Sequence, residues 1–139
     1  MAETNTSGKF LLFRSGMGKR LLAAGDVVEV IPMIALQRDP DDDMDPRFCG
    51  VFDYRGRIVP VFDFVAYQQG NIQNPDVFLL IVQGSRSMLA LVAYDIDDLV
   101  DVTADSIDEV APESGLPFAV ARLGEQLVKI VNPDRFVSS

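Results

Sequence analysis

The sequence predicts an all-β protein built from small barrels. Four pairs of short apolar runs are each joined by a turn that contains glycine, and little of the chain shows helical periodicity. Short strands at regular spacing with such turns are typical of β-barrels and not of layered α/β folds. We therefore predict either one β-barrel or a pair of small barrels.

Two of the predicted hairpins have strongly apolar strands. Residues 10–14 and 20–24 flank a loop with two glycines and form the first hairpin. Residues 77–82 and 88–93 form the third, and they are almost wholly apolar. Because a strand that is apolar on both faces must be covered on both, the two strands of the third hairpin should be the most deeply buried.

The central hairpin, residues 49–64, has the turn Arg55-Gly56 between strands rich in β-branched and aromatic residues. Neither face is polar enough for solvent, so we expect cover on both sides. Pro60 has no N–H and is expected at an edge or a bulge. With a two-residue turn, one face carries Gly50, Phe52, Tyr54, Arg57, Val59 and Val61, and the other carries Cys49, Val51, Asp53, Ile58, Pro60 and Phe62.

The segment 25–31 gives two conflicting signals. Its four apolar residues fall within one arc of a helical wheel opposite Glu29, which favours a helix, whereas their β-branched side chains disfavour one. Asp26 has the residue type of an N-cap, and Pro32 prevents a long continuation. We predict a short helix of about two turns here.

The C-terminal part predicts a fourth hairpin from residues 118–122 and 126–131. Asn132-Pro133 then has the residue types of an N-cap and a first helical position. We therefore predict a last helical turn that docks Phe136 and Val137.

The length of 139 residues favours a single folding unit. Residues 1–8 are polar and are predicted to form a flexible leader. A single domain is predicted over residues 9–139. The initial Met1 and the predicted closing turn argue against a fragment of a longer protein.

Composition excludes several classes of protein. A net charge of −9 with only 12 scattered basic residues argues against a nucleic-acid partner, and the absence of histidine removes His-based catalysis and most zinc sites. There is no secretory signal and no apolar run of about 18 residues, so we expect a cytoplasmic protein that does not insert into a membrane. The single cysteine, Cys49, is expected to be a small core residue.

Two acidic segments are candidates for chemistry. Asp39–Asp45 has aspartates at the spacing of a calcium loop, but Met44 stands where that loop needs glycine and Gly50 where it needs glutamate, so we predict a solvated loop. The carboxylates of Asp95–Asp101 suggest an alternative, a small acidic enzyme that uses them as general acid and base, but a solvated edge is favoured. We predict no enzyme, catalytic residue, metal or cofactor.

The central hairpin also resembles a known signature. From Gly50 the chain reads GVFDYRGRIVPVFDF, which is a glycine, a short strand that ends in Arg-Gly, and an apolar strand with Val-Pro and a closing Asp. This is similar to the signature of CheW-like domains. The flanks agree with it: FLLFRSG at the start, VVEV, the hairpin and tail VFLLIVQGSRSMLALVAYDIDDLVDV, and the closing ARLGEQLVKIVNPDRF. The resemblance covers residues 9–137.

The resemblance implies two five-stranded, SH3-like β-barrels packed together, with a groove between them and one or two short helices. It implies a non-catalytic adaptor that couples the cytoplasmic tips of methyl-accepting chemoreceptors to the regulatory domain of a CheA-type histidine kinase, in the cytoplasm at the membrane-associated receptor array. By position, Val27 and Glu29 fall on the family's receptor-facing helix, and Gly50 and Arg55 fall on its central hairpin. These four residues are the predicted partner contacts.

Three features depart from the family pattern: the acidic loop Asp39–Asp45, a short connection at residues 111–117, and Tyr54 where leucine is more common. They suggest an alternative role in a specialised pathway, such as surface sensing, biofilm formation or twitching. A further alternative is the regulatory fragment of a larger kinase or of an adaptor fused to a receiver domain.

Overall fold

The computed structural model describes residues 8–38, 46–65, 76–113 and 115–136. Helix in these segments is limited to 3-10 turns at Ala24–Asp26, Ala104–Ser106 and Pro133–Phe136. No helix in the described segments is long and apolar enough to cross a membrane. The strands are β1 (Gly8–Ser15), β2 (Gly18–Ala23), β3 (Val27–Pro32), β4 (Phe48–Tyr54), β5 (Arg57–Phe62), β6 (Phe78–Gln83), β7 (Met88–Ala93), β8 (Asp95–Val102), β9 (Ile107–Val110), β10 (Phe118–Leu123) and β11 (Gln126–Ile130).

These strands form two sheets. The two ends of the chain build a six-stranded sheet in the order β8-β1-β2-β11-β10-β9, and the middle builds a five-stranded sheet in the order β3-β6-β7-β5-β4. Neighbouring strands are antiparallel except for β11 with β2 and β5 with β7, which are parallel. The predicted all-β class with two small packed units is confirmed, although one sheet has six strands and not five.

Three apolar clusters form the core. One is built by the six-stranded sheet around Phe10 and Leu21, and a second by the five-stranded sheet around Val59 and Leu79. The third combines residues of both sheets, and we call it the inter-sheet cluster. Its members are Leu11, Phe13, Leu22, Phe62, Leu80, Val82, Leu89, Leu91, Ala93 and Phe136.

The inter-sheet cluster explains the continuous apolar runs of β6 and β7. Leu79 and Ile81 face the cluster of their own sheet, whereas Leu80 and Val82 face the inter-sheet cluster. All four side chains are fully buried. The prediction that this hairpin contains the most buried strands is confirmed, because both of its faces lie against apolar side chains.

The five-stranded sheet bends so that its two edges approach each other. Strands β3 and β4 lie at opposite edges, yet Gln37, which follows β3, reaches the outer side of β4. The N–H of Gln37 donates to the carbonyl of Val51 at 2.9 Å, and the N–H of Val51 donates to the carbonyl of Gln37 at 2.8 Å. This curvature is the one that the predicted barrel requires.

The predicted helix at residues 25–31 is wrong. A single 3-10 turn ends at Asp26, and strand β3 follows it. The register of β3 on β6 shifts between Val27 and Glu29, as at a β-bulge. The apolar residues do not alternate along β3 because Val28 and Val30 occupy exposed positions and Glu29 a partly covered one, while the β-branched side chains favour the strand that forms.

The register predicted for the central hairpin is confirmed: Phe52 pairs with Val59, and Val51 pairs with Pro60. Pro60 lies on an inner strand and not at the expected edge or bulge. The strand tolerates it because Val51 exchanges its backbone hydrogen bonds with Gln37 on the other side. The missing N–H of Pro60 is therefore not needed for pairing with β4.

Two details of this hairpin differ from expectation. A register shift between Phe48 and Gly50 places Cys49 in the same cluster as Phe52 and not on the opposite face. Ile58, near the turn, is 65% exposed, so the hairpin is covered on both sides at its base but not at its tip.

The predicted closing turn is confirmed at Pro133–Phe136. The side-chain oxygen of Asn132 accepts a hydrogen bond from the N–H of Asp134 at 3.1 Å, as an N-cap does. Phe136 is buried in the inter-sheet cluster. Val137, the acidic loop Asp39–Asp45 and residues 1–7 of the predicted leader lie outside the described residues.

The expected core role of Cys49 gives a prediction for stability and reactivity. Burial and the nearby Asp63 raise the pKa of the Cys49 thiol to about 12, so the folded protein should not react with a thiol reagent at pH 8. Cys49→Ser should lower the free energy of unfolding by about 1–2 kcal/mol, because it places a hydroxyl among apolar side chains. Urea denaturation with thiol labelling measures both effects. Labelling of the native state, or dimerisation on oxidation, would contradict the prediction.

Candidate functional site

Strand β3 exposes two apolar side chains and partly covers a charged one. Its outward-facing residues include Val28 and Val30, which are exposed, whereas Glu29 is partly covered. Because β3 is an edge strand, these valines lie beside an unpaired strand edge. The strand therefore presents apolar side chains to solvent and directs its carboxylate towards the protein.

The Glu29 carboxylate contacts the tip of the central hairpin. Tyr54 Oη donates a hydrogen bond to Glu29 Oε1 at 2.5 Å, and Arg55 Nη2 donates to the same oxygen at 3.0 Å. The Arg55 guanidinium also lies over the Tyr54 ring, with Cζ 5.1 Å from the ring centroid. We call these three residues the tip cluster, and it ties the two edges of the five-stranded sheet together.

The turn geometry positions Arg55. Arg55 and Gly56 have φ values of +54° and +86°, so both central residues of the turn are left-handed, as in the turns that join antiparallel strands most tightly. The N–H of Gly56 donates to Asp53 Oδ1 at 2.7 Å. The backbone of the tip is thus ordered, while the Arg55 side chain remains 73% exposed.

Each of the two sheets exposes apolar side chains near the inter-sheet cluster. Val27 packs against the inter-sheet cluster, which includes Leu11. On the six-stranded sheet, Leu99 of β8 pairs with Leu11 and so shares its face, yet Leu99 is 53% exposed. We call Val28, Val30 and Leu99 the apolar rim, because all three are exposed and Val30 and Leu99 pair with Leu80 and Leu11 of the inter-sheet cluster.

Gly50 lies at the other end of β4 from the tip cluster and is buried. Its φ is +142°, and a Cβ added there would lie 2.7 Å from the carbonyl oxygen of Gln37. Gly50 is therefore needed for the close approach of the segment around Gln37 to β4. It has no exposed side chain for a partner, so any role at an interface would act through the position of the hairpin.

Of the four predicted contacts, the structure brings Glu29 and Arg55 together, places Val27 beside them but turned inward, and separates Gly50 from them. Whether any of them contacts a partner stays a prediction. Four residues of the candidate site were missed: Val28, Val30, Tyr54 and Leu99. Tyr54 stood out in the sequence as a departure from the family pattern, whereas nothing in the sequence placed Leu99 opposite Leu11.

The alternative site at Asp95–Asp101 forms strand β8 at the edge of the six-stranded sheet. Lys9 Nζ lies 3.0 Å from Asp101 Oδ1, and Lys19 Nζ lies 3.9 Å from Asp97 Oδ2. These are ion pairs on the protein surface, which agrees with the predicted solvated edge. In the described segments, no three Cys, Asp or Glu side chains come together as metal ligands would.

The tip cluster predicts a measurable coupling between Glu29 and Tyr54. The hydrogen bond to Glu29 is the main cause that raises the pKa of Tyr54, while the Arg55 charge lowers it. Glu29→Ala should therefore lower the pKa of Tyr54 towards its ordinary value, and Arg55→Ala should raise it further. NMR titration of tyrosine labelled at Cζ, assigned with Tyr54→Phe, reports both shifts. An unchanged pKa in Glu29→Ala would show that the contact does not form in solution.

Comparison with known proteins agrees with this architecture. The structure is similar to the crystal structure of the scaffolding protein TtCheW from Thermoanaerobacter tengcongensis, with a TM-score of 0.71 and 20% sequence identity over 89% of this chain and 83% of that chain. No curated protein sequence matches the chain. A model of the CheW-like domain matches residues 9–139, almost the whole length. The chain belongs to the CheW-like domain family.

Proposed function

We propose that the protein is a non-catalytic signalling adaptor that couples the cytoplasmic tips of methyl-accepting chemoreceptors to the regulatory domain of a CheA-type histidine kinase. Residues 9–139 act as one domain of two packed barrels. The observation that carries the proposal is the apolar rim next to the tip cluster, on a chain that belongs to the CheW-like family. The proposed location is the cytoplasmic side of a membrane-associated receptor array.

The apolar rim suits a helical receptor tip. Val28, Val30 and Leu99 are each between 38% and 53% exposed, and Val30 and Leu99 pair with Leu80 and Leu11, two members of the inter-sheet cluster. An apolar helix face laid along them would extend that cluster, and burying one such side chain contributes about 1.5–3 kcal/mol. Apolar burial at the rim can therefore provide binding free energy for the receptor helix without a charged contact.

The tip cluster orients the partner, because it holds Arg55 in one position beside the apolar rim. One Arg55 nitrogen donates a hydrogen bond to Glu29, which limits the motion of the long side chain. The other N–H donors of the planar guanidinium remain exposed. A partner carboxylate or carbonyl can accept from these donors with little further loss of side-chain entropy. We propose that Glu29 and Tyr54 act by positioning Arg55, and that Val27 and Gly50 act by positioning β3 and the hairpin.

A second candidate is an adaptor of a specialised pathway, such as surface sensing, biofilm formation or twitching. Tyr54 favours it, because this departure from the family pattern bonds directly to Glu29 and so alters the predicted contact surface. Copurification with each CheA-type kinase of the source organism distinguishes the candidates. Exclusive capture by a flagellar chemotaxis kinase would exclude the specialised role.

A small acidic enzyme would have to use the carboxylates of β8. Since those near Lys9 and Lys19 form exposed ion pairs, their geometry favours a solvated edge and not acid–base catalysis. Replacing the aspartates of Asp95–Asp101 with asparagine should leave signalling through the reconstituted array unchanged. Loss of signal with intact folding and binding would reopen this possibility.

Arg55→Glu should weaken binding to the receptor tip or the kinase at least about tenfold, because it reverses the exposed charge and places a second carboxylate beside Glu29. The thermal midpoint should change by less than about 2 °C, since exposed ion pairs contribute only about 0–1 kcal/mol. Titration calorimetry and calorimetric unfolding measure the two effects. Arg86→Glu, the same change on an exposed turn, is the control, and a large fall in the midpoint would make Arg55 structural.

Val30→Glu should reduce receptor binding by about tenfold or more, because it places a charge within the apolar rim. Its stability should be nearly unchanged, since Val30 is already exposed at a sheet edge. Leu116→Glu, at an exposed leucine outside the rim, is the matched control. Equal binding by the Val30 variant and the wild type would remove the rim from the receptor interface.

A further inference from the structure

A second surface opens where the two sheets meet, away from Leu99. It is a cleft of about 340 Å³ lined by strands β2, β9, β10 and β11 together with residues that precede β4 and follow β5. In the six-stranded sheet, β9, β10 and β11 lie on the opposite side of β1 from β8, which carries Leu99. We call this the basic cleft, because four of its lining residues are Arg20, Arg47, Lys129 and Arg135.

The charge of the basic cleft is opposite to that of the chain. The protein has 21 acidic and 12 basic residues, yet four cations and one carboxylate, that of Glu109, are among the described residues that line the cleft. Within the described segments, Arg20, Lys129 and Arg135 form no ion pair. Such a concentration of cations in a protein of net charge −9 provides local attraction for a small anionic group.

Neutral groups position these cations. Lys129 Nζ lies 4.4 Å from the centroid of the Phe118 ring, and Arg47 Cζ lies 4.3 Å from that of Phe136. The Arg135 guanidinium donates to the carbonyl of Pro117. The Phe118 ring orients Lys129 and the Pro117 carbonyl orients Arg135 without cancelling either charge, so these cations are ordered before an anion arrives.

The surroundings of the cleft are apolar. Leu127 lies two residues before Lys129 on β11, which places both on the same face of the strand, and Leu127 is 71% exposed. Phe118 lies on the neighbouring strand and is partly exposed. A ligand that fits both features carries a carboxylate next to an apolar side chain.

We propose that the basic cleft binds an acidic segment of a protein partner, in which a Glu or Asp is followed by an aromatic or aliphatic residue. The carboxylate contacts Arg20 and Lys129, and the apolar residue covers Phe118 and Leu127. A long polyanion such as a nucleic acid is disfavoured, because the net charge of −9 repels everything that extends beyond the cleft. This proposal stands on the cleft alone and does not depend on the role of the apolar rim.

The test uses two pools of capped heptapeptides with random uncharged flanks, one with Glu-Phe at the centre and the other with Gln-Phe. Added to the full-length ¹⁵N-labelled protein, the Glu-Phe pool should shift the amides of Phe118 and Lys129, with an apparent affinity about tenfold above that of the Gln-Phe pool. High salt should reduce the difference. Equal shifts from both pools, or no shifts at the cleft, would overturn the proposal.

Variants and competing ligands complete the test. Lys129→Gln and Arg20→Gln should abolish the preference for the Glu-Phe pool, whereas Lys9→Gln, with the same change in charge outside the cleft, should keep it. Tighter binding of a single-stranded oligonucleotide at these amides would assign the cleft to nucleic acid and refute the proposal. In a further control without peptide, the four aspartates of residues 41–45 are replaced by asparagine. Shifts at the same amides in this variant would also refute the proposal, because the ligand would then be the chain's own acidic segment.

Discussion

The packing of the two sheets through the inter-sheet cluster is the constraint on which the remaining structure depends. Alternate residues of β1 serve two clusters, with Phe10 turned towards its own sheet and Leu11 and Phe13 turned towards the other. Burying a side chain of this size contributes about 1.5–3 kcal/mol, whereas an exposed ion pair contributes about 0–1 kcal/mol. The relative position of the sheets therefore rests on apolar packing, which leaves exposed charges such as Arg55 available for recognition.

Both candidate surfaces lie where this packing reaches solvent. On one side, Val28, Val30 and Leu99 are exposed, and Val30 and Leu99 pair with members of the inter-sheet cluster. On the other side, Phe136 belongs to the inter-sheet cluster and also lines the basic cleft. One side is apolar with a single oriented cation nearby, and the other is cationic with aromatic walls. Two partners of different chemistry could therefore bind the same domain without competing directly.

Local sequence patterns predicted the parts of the fold that local forces determine. The Arg55-Gly56 turn and the alternation around it gave the hairpin register correctly, because turn length determines which residues face each other. The pattern failed in two places: the exposed valines of β3 imitated a helix, and the register shift before Gly50 changed the face of Cys49. Bulges follow from how the curved sheet pairs along its whole length, which short windows of sequence do not contain.

The candidate site was only half predictable for a similar reason. Glu29 and Arg55 came from the family resemblance, but their contact through a shared oxygen depends on the bending of the five-stranded sheet, which brings its two edges together. Leu99 lies opposite Leu11 only because β8 pairs with β1, although the two strands are far apart in the sequence. The most direct test of the central claim is methyl NMR of the valine- and leucine-labelled protein during titration with a receptor tip. We expect shifts at Val28, Val30 and Leu99 and none at Leu116 or Leu127, whereas the reverse pattern would contradict a receptor site at the apolar rim.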